Sequence, residues 1–421
     1  MSLHERLPVR LLVVWATLAA FAVTVASASP PKLVLGAVYP TGGSHAQGGI
    51  DEYRGVLLAV EYVNARGGVN GRAVEVVLEP ADAPDRAPAA VAALARRRVP
   101  VVLGSYGSNI SQPAADAARA RGLVFWETGA VGDLSMASTD DPLVFRFPPT
   151  GETLGRAAVE HAVDRAIPLL GRNPARLRYG VTYVDDVYGR SVGNGALAEI
   201  RDRGLRLAGT YPYSLASMNL PALVRQMKHD GVQVLFVSSY LADGIEMRRQ
   251  MVRQQLALVA SVGTSSSYCM HEFGEALGAD AVGLYASDKP DGHVLDPARL
   301  DPDAGERLAW ARETFATRFA HEMTAPALTG FAGAIALLEH VIPAAASTEP
   351  RAIAEAARTI RVPQGALPNG SGLDFPDAGR GVASENLEAT SVIWQWVAPG
   401  VRAVVHPPAF ASRDALPLGI A

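Results

Sequence analysis

The sequence lacks most of the features that announce a mechanism. It has a single cysteine, Cys269, in 421 residues, so no internal disulfide can brace the fold and stability must come from a buried core. Cys269 itself reads as a small buried hydrophobe. The nine histidines are scattered, and no pair falls in an HExxH frame, so no metal site is legible. Acidic residues outnumber basic ones, 42 to 38, for a formal net charge of −4, which argues against nucleic acid as a partner. The one short basic run, Arg96-Arg97-Arg98, closes an alanine-rich helical stretch and suits a solvated helix C-terminus. Gly42-Gly43 and Gly48-Gly49 make neither a GxGxxG fingerprint nor a phosphate loop with lysine and read as flexible loop; no cofactor is expected. No cysteine follows the N-terminal apolar run, which argues against a lipidated start. No second stretch reads as long and apolar enough to cross a membrane.

What is present is a large apolar fraction, 49% against 19% charged, enough for sizeable cores and at odds with disorder. At about 150 residues per domain the length divides into two or three. The N-terminus reads as a targeting signal. Arg6 and Arg10 form a basic flank, Leu11 to Val25 is unbroken apolar or small, and Ala26-Ser27-Ala28 offers a small-x-small cleavage site. The apolar run, about 15 residues, is short of the roughly 20 that a spanning helix needs. Residues 1–28 are expected to be a signal peptide, and the mature chain to be periplasmic.

The rest alternates strand and helix. Leu33 to Val38 is a short apolar run ending in Pro40-Thr41-Gly42-Gly43. Asp51 to Asn64 carries Val56, Leu57, Val60 and Val63 at helical spacing and is stopped by Ala65-Arg66-Gly67-Gly68. Strands are predicted over 73–78, 99–103 and 123–126, with helices over 87–98 and 112–121 between them. The grammar restarts with helices over 153–167, 189–203, 220–229 and 244–255, and strands over 179–184, 207–213, 232–237 and 257–263. Helices over 306–323, 329–343 and 351–359 and a β-like run over 389–397 follow. This is the pattern of an α/β protein with two parallel-sheet lobes. Ligands of such sheets sit beyond the carboxyl ends of the strands. The loops there are rich in hydroxyls and carry Tyr106, Tyr188, Tyr240 and Tyr268, a composition suited to an aromatic-walled pocket.

Several segments resemble one family. Leu33-Val-Leu-Gly-Ala-Val-Tyr-Pro-Thr-Gly-Gly, then Arg54-Gly55, then Ala59-Val60-Glu61-Tyr62-Val63-Asn64-Ala65-Arg66-Gly67-Gly68-Val69-Asn70-Gly71-Arg72 resemble the opening of branched-chain amino-acid type periplasmic binding proteins of ABC transporters. Val102 to Ser108, Phe145-Arg146-Phe147, Asp185 to Gly189, Gly372 to Phe375 and Trp394-Gln395-Trp396 resemble later segments of the same family, in order. The resemblance implies two doubly wound lobes joined by three hinge crossovers, the type I periplasmic binding fold. It implies lobe 1 over 32–148 and 288–372, lobe 2 over 149–287 and 373–410, and a C-terminal tail over 411–421. It implies a monomer that captures a small molecule between the lobes and hands it to the membrane permease of an ABC transporter. Ser108 matches the residue that holds a ligand carboxylate. Gly129, Ala130 and Val131 match the loop that offers a carbonyl to an ammonium. Tyr188 and Tyr240 match aromatic positions of the second lobe, with Tyr106 facing them. Val131 replaces a usual hydroxyl, and Ser265 stands near where many relatives carry an acid that pairs the ammonium. An unpaired buried ammonium is costly, so either Glu127 supplies the acid or the ligand is not an ordinary α-amino acid.

Two other readings compete. Gly189-Arg190-Ser191-Val192-Gly193 fits GxSxG, and Asp288 or Asp291 with His293 would complete a hydrolase triad in chain order; Ser191, however, falls inside a predicted helix, beyond the strand end. A ligand-sensing module for a signalling partner would use the same fold, but no signalling domain is legible. N-terminal sequencing of the exported protein is expected to begin near Ser29; an intact Met1 on membrane-bound protein would refute the cleaved signal.

Overall fold

The structure, a computed structural model, describes residues 30–133, 143–376, 382 and 384–420; the expected signal peptide lies outside the described residues. The first sheet is built by β1 (Leu33–Val38), β2 (Val74–Leu78), β3 (Val101–Gly104), β4 (Val124–Glu127) and β5 (Val144–Arg146), in the order β2-β1-β3-β4-β5. Every pairing in it is parallel. Helices α1 (Ala46–Asn64), α2 (Ala87–Arg96) and α3 (Ser108–Arg119) connect the strands. β3 shows why its sequence is apolar throughout: Val102 packs with Leu94 and Ala114 on one face, while Val101 and Leu103 join the main core on the other. A strand covered on both faces has no polar side to alternate with.

After β5 the chain enters α4 (Gly151–His161), which continues through a wider turn into α5 (Ile167–Leu169). The second sheet then takes β6 (Arg178–Val184), β7 (Arg206–Tyr213), β8 (Val234–Ser238), β9 (Ala260–Thr264) and β10 (Tyr285–Asp288). α6 (Val187–Asp202), α7 (Leu220–His229), α8 (Leu241–Arg253) and α9 (His271–Leu277) link them. From β10 the chain returns to the first sheet's side with α10 (Pro302–Phe319), α11 (Ala325–Ile335), α12 (Ile342–Ala344) and α13 (Pro350–Thr359). A small ladder of β11 (Arg361–Val362) and β12 (Leu373–Asp374) follows. Then β13 (Val392–Ala398) and β14 (Val401–His406) go back to complete the second sheet, in the order β14-β13-β10-β9-β8-β6-β7. β13 and β14 are its antiparallel members. The chain therefore passes between the two halves three times.

The return helices are fixed to the first half by close backbone approach. A Cβ at Gly55 would lie 2.0 Å from the Ala327 carbonyl oxygen, and one at Gly330 would lie 2.1 Å from that of Glu52. Only glycine lets α1 and α11 meet at this distance. The indole of Trp126 also donates to the Gly333 carbonyl at 2.9 Å. At the other end the tail is docked: the buried Gln395 amide donates to the Leu416 carbonyl at 2.7 Å and accepts from its N–H at 2.8 Å.

Some expectations need correction. Residues 325–344 do form a helix long and apolar enough to span a bilayer, but most of it is buried against α1 and the core, so its apolarity is accounted for by packing. α1 starts at Ala46 rather than Asp51, which makes Gly48 and Gly49 helical rather than flexible. They are small because the Tyr106 ring would meet a Cβ on Gly48 at 2.3 Å and the Pro40 carbonyl one on Gly49 at 2.3 Å. α3 starts at Ser108, before Gln112, with Pro113 inside it and Ile110 buried in the core. The sequence pattern predicts no strand at β5, β10 or β14, whose sequences are too short or too mixed to stand out. Gly55→Ala is expected to lower unfolding stability by about 1–3 kcal/mol through overpacking, read by urea denaturation; an unchanged midpoint would show that the two helices move apart freely.

Candidate ligand-binding cleft

The carboxyl ends of the two sheets face each other, and their loops meet. On the first side, β3 runs through Ser105 to Gly107 into the first turn of α3, so the buried Ser108 stands at a helix N-terminus. Its Oγ accepts from the Gly132 N–H at 3.0 Å, which leaves its own proton to donate. β4 delivers the loop 128–132. On the second side, α6 follows β6 and brings Tyr188, Tyr240 caps α8 after β8, and Ser265 and Ser266 follow β9. Tyr188 Oη donates to the Ser265 carbonyl and lies 3.2 Å from Thr264 Oγ1. Tyr240 Oη donates to Asp186 at 2.7 Å.

The halves are closed on each other. Tyr106 Oη and Ser266 Oγ are 3.3 Å apart, and Ser191 Oγ donates to Asp133 at 2.8 Å. His45 lies edge-on between Tyr106 and Tyr240, at centroid distances of 6.2 and 5.1 Å, and Tyr240 is 5.4 Å from Tyr188. Aromatic rings thus run across the gap from one half to the other. Burial raises the phenol pKa of Tyr106, Tyr188 and Tyr240, so all three remain neutral donors, and burial lowers that of His45 against the pull of Asp186.

Seven of the nine residues singled out from sequence line one narrow cavity: Tyr106, Ser108, Gly129, Val131, Tyr188, Tyr240 and Ser265. Ala130 and Glu127 do not line it. Glu127 is wholly buried beneath the loop rather than facing the cleft. Its Oε1 accepts from the N–H groups of Gly129 and Ala130, each at 2.8 Å, and its Oε2 accepts from Ser111 Oγ. The carboxylate is a brace that shapes the loop from behind. Burial pushes its pKa up to about 7, against those hydrogen bonds, which lower it.

Sequence reading missed His45, Ser266 and above all Lys289, which also line this cavity. Lys289 follows β10 directly; the rule that ligands sit at strand carboxyl ends would have flagged it had β10 been recognised. Its ammonium, buried at 2% exposure, donates to the Gly129 carbonyl at 2.9 Å. The narrow cavity has a free volume of about 10 Å³, room for about one water. Sharing Tyr106, Ser265, Ser266 and Lys289 with it is a chamber of about 410 Å³, which Cys269, Met270, Asp288, Asp291, Met323 and Arg402 help to line. Asp291 is tied to Arg402 at 2.8 Å.

The GxSxG serine and His293 are not brought together. Ser191 lies inside α6 with its hydroxyl on Asp133, while His293 pairs with Glu322 at 3.2 Å. Among the described residues no cluster of histidine, cysteine and carboxylate could hold a metal. Two α/β halves linked by three crossings, with polar and aromatic loops meeting at the carboxyl edges, define a two-lobed ligand-binding protein.

Residues 32–387 match the periplasmic binding protein family, and the chain belongs to it. It is 27% identical over 380 residues to Leu/Ile/Val-binding protein homolog 8 of Brucella abortus, covering 89% of this chain and 90% of that one. Among solved structures, a leucine-binding protein from Thermotoga maritima aligns with a TM-score of 0.73 at 17% identity, over 88% of this chain and 97% of the other. A branched-chain amino-acid transporter substrate-binding protein from Streptococcus pneumoniae, in complex with isoleucine, aligns with a TM-score of 0.70 at 17% identity, over 89% and 100%. The type I two-lobed fold is thereby established for this chain.

Because Glu127 stays protonated to a higher pH folded than unfolded, its burial opposes folding only where the unfolded carboxyl ionises first. Its penalty therefore grows as pH rises from about 4.5 to about 7 and is constant above. Glu127→Gln should remove that slope: relative to wild type, the variant should gain roughly 2–4 kcal/mol between pH 4.5 and 8. Urea midpoints across that range test it; parallel curves would mean that Glu127 ionises as in the unfolded chain.

Proposed function

We propose that this chain is an extracytoplasmic solute-binding protein. It captures a small carboxylate-bearing organic ligand between its lobes and delivers it to the permease of an ABC transporter, acting as a monomer without chemical turnover. The observation that carries the reading is the cleft itself: hydroxyls and tyrosines from two separate sheets converge on one gap, closed by Tyr106–Ser266 and Ser191–Asp133 contacts. Such a surface is complete only when the lobes shut, which is how a hinged capture protein binds. Support for the lobe boundaries, 32–148 with 288–372 and 149–287 with 373–410, is that β1 to β5 fall in the first set and β6 to β9, β13 and β14 in the second. Residues 1–28 serve as the export signal in this reading, consistent with the family. The ligand carboxylate meets Ser108 at the start of α3, where unpaired N–H groups and the helix dipole favour an anionic acceptor. Tyr106, Gly129, Val131, Tyr188, Tyr240 and Ser265 surround it, while Glu127 and Ala130 act from behind as parts of the braced loop.

A ligand at about 100 times its Kd should raise the melting temperature by roughly 3 °C for a chain of this size. Ser108→Ala should then weaken binding by about 1.5–3 kcal/mol, as for loss of a hydrogen bond to a charged group. Calorimetric titration of wild type, Ser108→Ala and Tyr188→Ala checks this; a best ligand that binds all three alike would place the site elsewhere.

A further inference from the structure

We infer that the narrow cavity and the larger chamber form one divided site, joined at Lys289, and that its ligand is a carboxylic acid carrying a hydrogen-bond donor several bonds from the acid group. Lys289 receives the carboxylate, and Asp288 receives the donor. This deepens the proposed function and rests on it.

The argument begins with volume. The cavity beside Ser108 holds about 10 Å³, enough for one small polar group and not for a side chain. The adjoining chamber, about 410 Å³, lies within the range of small-molecule pockets. A ligand with its acid group near Ser108 must therefore extend its body past the Tyr106–Ser266 contact into the chamber.

Charge then selects the ligand's ends. Of the three lysines, Lys32 and Lys228 are on the surface and Lys289 is buried. Among the described residues the Lys289 ammonium makes one hydrogen bond, to the Gly129 carbonyl, and no ion pair. An ammonium has three protons to donate, so two are left over at a position facing both cavities. Its neighbour Asp288 is also buried at 2% exposure; the Cys269 thiol, a weak donor, lies against its carboxylate, and its Oδ1 has no hydrogen-bond partner among the described residues. Asp288 lines the large chamber and not the narrow one. Asp291 and Arg402, also in the chamber wall, pair with each other through Nη2; Arg402 Nη1 is left unpartnered, but Arg402 does not line the narrow cavity. Lys289 is therefore the cation with protons to spare that borders both cavities, and Asp288 is a buried acceptor with an unpartnered oxygen in the chamber wall. Leaving either unsatisfied is costly, and a ligand presenting a carboxylate to one and an amine, amide N–H or hydroxyl to the other relieves both. The thioethers of Met270 and Met323 and the ring of Pro326 offer an apolar lining for the body between.

The test uses 5-aminopentanoate, 5-aminopentanamide, pentanoate and L-leucine as probes, titrated into the mature wild type, Lys289→Met and Asp288→Asn. Wild type should prefer 5-aminopentanoate to its amide and to pentanoate by at least about tenfold each, and should bind it more tightly than leucine. Lys289→Met should bring the acid-to-amide ratio close to one, and Asp288→Asn should do the same for the amino-acid-to-pentanoate ratio. These are ratios that a general loosening of the cleft would leave unmoved. If wild type binds the probes but either ratio survives its substitution, or leucine binds best, the divided site is wrong and the capture function stands. If no probe binds wild type, the capture function proposed above falls with it.

Discussion

A parallel strand delivers its last residue at the sheet's carboxyl edge and must then leave the sheet to climb back along its face. That constraint governs this molecule twice. Each of its two sheets presents a row of strand ends, and the three crossings between halves turn those rows toward each other. Ser108, the loop 128–132, Tyr188, Tyr240, Ser265 and Lys289 are far apart in the chain yet share one gap because each follows directly on a strand or opens the helix after it. The close backbone approach of α1 and α11 at Gly55 and Gly330 fixes the return helices to the first half.

Behind the cleft lies a layer of buried polar groups that do not line the narrow cavity. Tyr39 Oη lies 2.6 Å from Thr128 Oγ1, which donates to Glu52 at 2.5 Å, and Glu127 gathers Ser111, Gly129 and Ala130. Glu52 sits so near the loop that a Cβ on Gly129 would be 1.8 Å from its Oε2. Burial raises the pKa of Glu52 well above its usual range, with Lys289 opposing the shift. The loop is thus held by fixed hydrogen bonds on its rear face, and its front face is free to be shaped for a ligand. Preorganisation of this kind lowers the ordering cost of binding.

The front face departs from the pattern that the resemblance implies. An acid near position 265 is missing, and Glu127 does not replace it, because one of its oxygens accepts from the loop's N–H groups and the other from the Ser111 hydroxyl. The charges that do face the gap, Asp288 and Lys289, come from the end of β10, at the second crossing between the halves. Their place on a crossing puts them on the segment where the chain passes from one half to the other.

The sequence by itself determined the alternation of strand and helix and the two α/β halves, because both-face burial forces apolar runs of strand length and because turn glycines and helix stops are local; the family was legible through the motifs that resemble it. It also determined which loops to inspect, and seven of nine chosen residues line the cavity. Tertiary structure alone decided the rest. Whether Glu127 looks into the cleft or into the loop depends on Ser111 and on backbone N–H groups placed by the fold. The helix at 325–344 is a core element and not a membrane span because α1 covers it. β10 carries no strong local pattern, its register being set by β9 and β13, so Lys289 could not be read as a cleft residue until its neighbours were in place. Local composition specifies what a segment is, whereas the direction and partners of a buried charge are fixed by residues distant in the chain.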